Sequence, residues 1–224
     1  MKKKLLTGLL ILITGLVTAC SGKGGAKYQE YVKALIDANY LGHFDEYVDI
    51  TDADPKDADA LYQANVQRLA DNLSRYYGIS PEDDSELRSR FNATAKAIYE
   101  KTSFETAPVR TEEGVSYVDV TIHPIDLLNS TRDKVEALIS DLDKRVDEGE
   151  FNDTEKEEYR RLLINGILDI LDESVSSMTY KDPVTVTVRI ITGKSAYYIS
   201  DADFQSIDAA IIATSENPEV SETE

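Results

Sequence analysis

The chain changes its hydrophobic period several times, and those changes divide it. From about Ala26 to Tyr47, Tyr28, Val32, Leu35, Ile36, Asn39, Tyr40 and Phe44 recur mostly three or four apart, one stripe of an amphipathic helix with a break expected near Leu41-Gly42-His43. A second helix has a defined start: Asp54 as N-cap, Pro55 in the first helical position and Asp57 in the first turn. Leu61, Val66, Leu69, Leu73 and Tyr76 carry its stripe, and Gly78 follows its end. Ser80 and Pro81 repeat that grammar before Leu87, Phe91, Ala95 and Ile98.

The period then falls to two. Residues 102–110 and 115–123 are rich in β-branched and aromatic side chains around Glu112-Glu113-Gly114, which predicts a hairpin with Val118, Val120 and Ile122 on one face. Helical spacing returns at Leu128, Val135, Leu138, Leu142 and Val146, ending at Gly149. Thr154 with Glu157 makes a capping box for a helix through Tyr159, Leu163, Ile167, Ile170 and Leu171. Residues 184–191 and 195–199 predict a second hairpin, and Asp201 or Asp203 should cap a short helix bearing Phe204, Ile207, Ala210 and Ile211. The expected fold is α+β: two halves, each a helical pair plus a β-hairpin, pooling into an antiparallel sheet of about four strands covered by helices.

The first residues follow none of these periods. Lys2, Lys3 and Lys4 precede an uncharged apolar run from Leu5 to Val17, the layout of a secretory signal. A membrane span needs roughly 20 apolar residues, and this run is too short for one. Val17-Thr18-Ala19-Cys20 resembles the lipobox of bacterial lipoproteins. The resemblance implies cleavage between Ala19 and Cys20 and a diacylglyceryl group on the Cys20 thiol, whose thiolate is the strong nucleophile that acylation needs. The expected organisation is a signal peptide at 1–19, a flexible tether at 20–27, a single domain at 28–214 and an acidic, disordered tail at 215–224. The location is then the cell membrane, lipid-anchored and facing outside the cytoplasm. Two acyl chains suffice for stable anchoring, whereas one does not.

Charge narrows the partners. The 24 basic and 42 acidic residues give −18, and removal of residues 1–19 with three lysines makes it −21. Nucleic acid is excluded as a partner, since no basic patch is available to displace phosphate counterions. Cys20 is the single cysteine, which leaves no disulfide and, once acylated, no free thiol.

Several candidates for chemistry fail on spacing. Asp49, Asp52, Asp54, Asp57 and Asp59 form an acidic run, but a calcium loop from Asp52 would need an oxygen ligand, Gly and Glu where Lys56, Asp57 and Gln63 stand. Gly193-Lys194-Ser195 lacks the earlier glycine of a phosphate loop, because Val188 is there. His43 and His123 are far apart and need no metal. The sequons at Asn72, Asn92, Asn129 and Asn152 read as chance matches. Thirteen tyrosines against five phenylalanines leave two readings open, a groove lined by residues such as Tyr28, Tyr31, Tyr40, Tyr47, Tyr76, Tyr77, Tyr197 and Tyr198, or half-buried rings with wet hydroxyls.

The segments Tyr31–Tyr47 and Tyr197–Phe204 resemble the opening and closing of small lipoproteins from Gram-positive anaerobes. The resemblance implies the location and fold and carries no activity. The expectation is a non-catalytic binding or envelope-accessory module for a protein, peptide or glycan, with no cofactor and no catalytic or metal residue assigned. The alternative is a carboxylate- or metal-dependent surface hydrolase.

Overall fold

The computed structural model describes residues 25–79, 84–151, 156–193 and 197–213. The signal peptide, Ala19, Cys20, Ser80, Thr154, the residues 194–196 and the tail expectation all lie outside them.

Helix α1 (Gly25–Ile36) passes directly into a π-helical turn, Asp37–Leu41. Gly42 then stops it in the left-handed conformation at φ 69°, and α2 (Asp45–Thr51) follows. The helical stretch expected to Tyr47 is thus broken at Leu41-Gly42-His43, where the break was expected. The widened turn rolls Tyr40 inward and leaves it fully buried, and Asn39 Nδ2 donates to the Leu35 carbonyl at 2.7 Å.

Helix α3 (Pro55–Tyr77) begins as its residues dictate: Asp54 accepts from the Lys56 N–H at 2.8 Å, and Gly78 closes the end at φ 68°. Its buried stripe is Ala58, Tyr62, Val66, Leu69, Ala70 and Leu73. Tyr76, expected on that stripe, points to solvent. In α4 (Ser85–Tyr99), Asp84 accepts from Glu86 and Leu87 N–H and is the N-cap, in place of Ser80. The expected buried face, Leu87, Phe91, Ala95 and Ile98, is present.

The first expected strand is two pieces. Strands β1 (Ser103–Thr106) and β2 (Arg110–Glu112) both pair antiparallel with β3 (Val115–His123). Between Thr106↔Val120 and Arg110↔Tyr117, three residues face two, so residues 107–109 bulge, with Pro108 supplying no donor for the ladder. Glu113 (φ 50°) and Gly114 (φ 82°) make the two-residue turn into β3.

Helices α5 (Leu127–Asp147) and α6 (Lys156–Ser176) form an antiparallel pair, with Leu138 packed over Gly166. Val146, expected on the inner stripe of α5, is exposed. Strands β4 (Val184–Thr192) and β5 (Tyr197–Ile199) and helix α7 (Asp201–Ile211) end the described fold. Ser200, not Asp201 or Asp203, caps α7, accepting from the Asp203 N–H at 3.1 Å.

The sheet order is β1-β3-β4-β5, with β2 extending β1 along β3. The two hairpins thus pool into one antiparallel sheet of an α+β fold, joined at β3–β4. Ile125, fully buried just past β3, ties three segments: its N–H donates to the Ile211 carbonyl at 2.8 Å, its carbonyl accepts from Ala213, and it bridges to Tyr180. Val118, Val120, Ile122, Val188 and Ile190 face the core under α1 and α7.

Candidate functional site: the open face of the sheet

Strand alternation sends every second residue of β3 and β4 away from the core. On that opposite face, Tyr117, Asp119, Thr121 and His123 of β3 are half-buried, and Thr185, Thr187 and Arg189 of β4 are exposed. An antiparallel sheet can keep one face wet, so exposure alone needs no special cause. The rows across the strands give this face its character.

Nearest the β2–β3 turn stand Val115 and, opposite each other on β4 and β5, Ile191 and Tyr198. The next row is Arg110–Tyr117–Arg189, an arginine on each neighbouring strand beside the tyrosine. The Arg110 guanidinium lies 4.8 Å from the Tyr117 ring centroid and pairs with Glu112 and, at 3.3 Å, with Asp119. Arg189 forms no ion pair among the described residues, although its backbone N–H donates to Asp203 at 3.3 Å. Beyond this row the face turns to hydroxyls and acids. Thr187 donates to Asp119 at 2.6 Å, Thr121 and Thr185 sit 3.3 Å apart, and Glu105 is opposite Thr121. The Thr187 hydrogen bond, followed by Arg110, holds the Asp119 carboxyl below the usual carboxylate range against an opposing effect of burial.

A second polar cluster lies between α3, α7 and the π-helical turn. Arg68 of α3 donates to Asp208 of α7 at 2.8 Å, and the Tyr40 hydroxyl donates to the same carboxylate oxygen at 3.1 Å. Burial, and then the Asp208 charge, push the Tyr40 and Tyr99 hydroxyls well above their ordinary range. These phenols are held neutral, and the cluster fastens α7 to the π-helical turn and α3.

The residues singled out in the sequence disperse. Ala19 and Cys20 lie outside the described residues. His43 is exposed past the π-helical turn, while His123 ends β3 with its ring edge-on to Tyr180 at 6.5 Å. Asp54 is a cap, Asp59 accepts from Gln63 at 3.1 Å, and Asp52 ends α2 at φ 55°. Among the described residues, no group of three or more His, Cys, Asp or Glu side chains is placed to hold a metal ion. The tyrosines do not line a common groove: Tyr31, Tyr40, Tyr47 and Tyr197 are core residues, as are Tyr62 and Tyr99. Sequence reasoning missed the Arg110–Tyr117–Arg189 row. Alternation placed Tyr117 on the outward face, but only the register brings Arg189 beside it across more than seventy residues.

No protein-family model matches the sequence, and no curated protein matches it. Its fold is similar to the crystal structure of ycdA from Bacillus subtilis, a protein that carries a provisional lipoprotein designation. The TM-score is 0.59 at 16% identity, over 84% of this chain and 58% of that one, so this chain spans a little over half the length of ycdA. At that identity the likeness is one of fold.

Proposed function

We propose that this chain is an extracytoplasmic lipoprotein, held at the cell membrane by a diacylglyceryl group on Cys20, whose domain is a non-catalytic binding or envelope-accessory module. The anchor reading rests on Val17-Thr18-Ala19-Cys20 after a basic start and a short apolar run. Kinship with small lipoproteins of Gram-positive anaerobes belongs to the same reading, and the fold likeness to a provisional lipoprotein agrees with it.

The observation that carries the binding role is the open sheet face. Alternating hydroxyl, carboxylate and aromatic groups stand on a sheet whose other face packs Val118, Val120, Ile122, Val188 and Ile190 into the core, and polar groups fixed in this way suit recognition of a peptide or glycan. Metabolic labelling with a tagged fatty acid tests the anchor: label on the wild type, lost in Cys20→Ala, supports it, and an unlabelled wild type refutes it. Peptide and glycan arrays probed with the mature chain test the face. A ligand lost in both Tyr117→Ala and Thr185→Arg supports it, whereas binding unchanged in both removes the face from the function.

A further inference from the structure

The lipid anchor and the fold together constrain which end of the domain meets the membrane. Four residues lie between Cys20 and Gly25, the first residue of α1, and the five Cα-to-Cα steps reach about 18 Å at most when fully extended. The entry point is also located. Tyr28, in the first turns of α1, packs edge-on against Tyr197 with ring centroids 4.9 Å apart, and Tyr31 does the same at 5.3 Å. Tyr197 begins β5 opposite Thr192, the last residue of β4, so α1 starts at the end of the sheet that holds the β2–β3 turn. Strand β3 has nine residues and carries the other end roughly 30 Å away.

The chemistry of the open face grades along the same axis. Val115, Ile191 and Tyr198 occupy the end nearest the tether, and Arg110, Tyr117 and Arg189 stand one row behind. Tyrosine rings favour the water–lipid boundary, and guanidinium groups reach phosphate while their stems stay on apolar surface. We propose that this end of the open face rests on the headgroup layer of the membrane that holds Cys20. The proposal rests on the lipid-anchor reading above.

The contact is shallow and depends on the tether. Glu112 and Glu113 stand beside the same end, Arg110 is already paired with Glu112 and Asp119, and the mature chain carries −21, so electrostatic attraction to an anionic bilayer is absent. The anchor supplies the effective concentration, and the aromatic and aliphatic side chains set the orientation. The hydroxyl and acid rows are left facing away from the bilayer, open to a partner.

Acylation consumes the one native thiol, so a cysteine introduced elsewhere is labelled alone in the lipidated protein. A fluorophore on Thr192→Cys, at the tether end, is compared with one on Asp182→Cys, two residues before the far end of the same strand. Both positions are exposed. The probe membrane is a phosphatidylcholine vesicle containing a lipid with a nitroxide headgroup. Quenching several-fold stronger at 192 than at 182 is expected, and Ile191→Ser with Tyr198→Ser should bring 192 down towards 182. Equal quenching in fatty-acid-labelled protein, or stronger quenching at 182, overturns the docking and leaves the anchor standing. Loss of the 192–182 contrast only after lipid removal supports the tether's role. Wild-type protein without fatty-acid label overturns the anchor, and this proposal with it.

Discussion

Arg68 and Asp208 meet at 2.8 Å although 140 residues separate them, and their pairing joins α3 to the last helix of the described fold. Both side chains are mostly buried, with relative exposures of 17% and 31%. Removing one partner leaves a partly desolvated charge without its counterion, and the Tyr40 hydroxyl loses its acceptor as well. Asp208→Ala should therefore destabilise the domain by about 2 kcal/mol, corresponding to a fall of about 4–8 °C in Tm for a domain of this size. Urea and thermal unfolding measure it. A change no larger than that of an ordinary surface substitution would show that the pair is ornamental.

The buried phenols predict a failure at high pH. Tyr31, Tyr40 and Tyr99 all ionise well above the value of about 10 that an unfolded tyrosine shows, with burial as the main cause. Above pH 10 the unfolded chain releases protons that the folded chain keeps, so stability is complete below that pH and declines as pH rises through and beyond it. Each such group contributes a slope of about 1.4 kcal/mol per pH unit. The late part of the tyrosinate absorbance should belong to these buried phenols and rise cooperatively with the loss of helical circular dichroism. A single smooth titration with the helices intact would contradict the burial.

Two glycines with the same backbone conformation should respond differently. Gly42 and Gly78 have φ of 69° and 68°, and alanine is strained at either. At Gly78 the added methyl group meets open space, whereas at Gly42 it comes within 3.0 Å of the Tyr62 ring. Gly78→Ala should cost about 1 kcal/mol, and Gly42→Ala should cost more by about another 1 kcal/mol. Equal losses in chemical denaturation would mean that Tyr62 yields freely.

The caps offer a sharper comparison at the last helix. Ser200 Oγ accepts the Asp203 N–H, while the exposed Asp201 side chain makes no such bond. Ser200→Ala should lose about 1 kcal/mol, and Asp201→Ala only a few tenths from the helix dipole. The reverse order in thermal melts would return the cap to Asp201.

Local rules carried most of the element map. Asp54-Pro55 and Gly78 bracket α3, and Leu87, Phe91, Ala95 and Ile98 are buried as their spacing requires. Val118, Val120 and Ile122 alternate inward on β3. The failures come where the deciding contact is remote. Tyr40 is buried as its stripe required and the helix stops at the expected Gly42, but the π-helical turn that sets Tyr40 between Tyr99, Phe204 and Asp208 has no local signal. Tyr76 keeps the helical period and still points to water, its ring edge-on to Tyr77 at 4.9 Å.

By itself the sequence determined the export and lipidation expectation at Ala19 and Cys20, the acidic surface, and the α+β order of elements. These depend on covalent chemistry, composition and periodicities that act within a few residues. The pooling of the two hairpins into one sheet was expected as well, but tertiary structure alone decided that they join through β3 and β4, and that Arg110, Tyr117 and Arg189 fall in one row on the open face. It also decided that α1 enters the fold beside Tyr197. Strand register is a property of the pair, set by burying Val118 against Val188 and Val120 against Val186, and neither strand contains it alone.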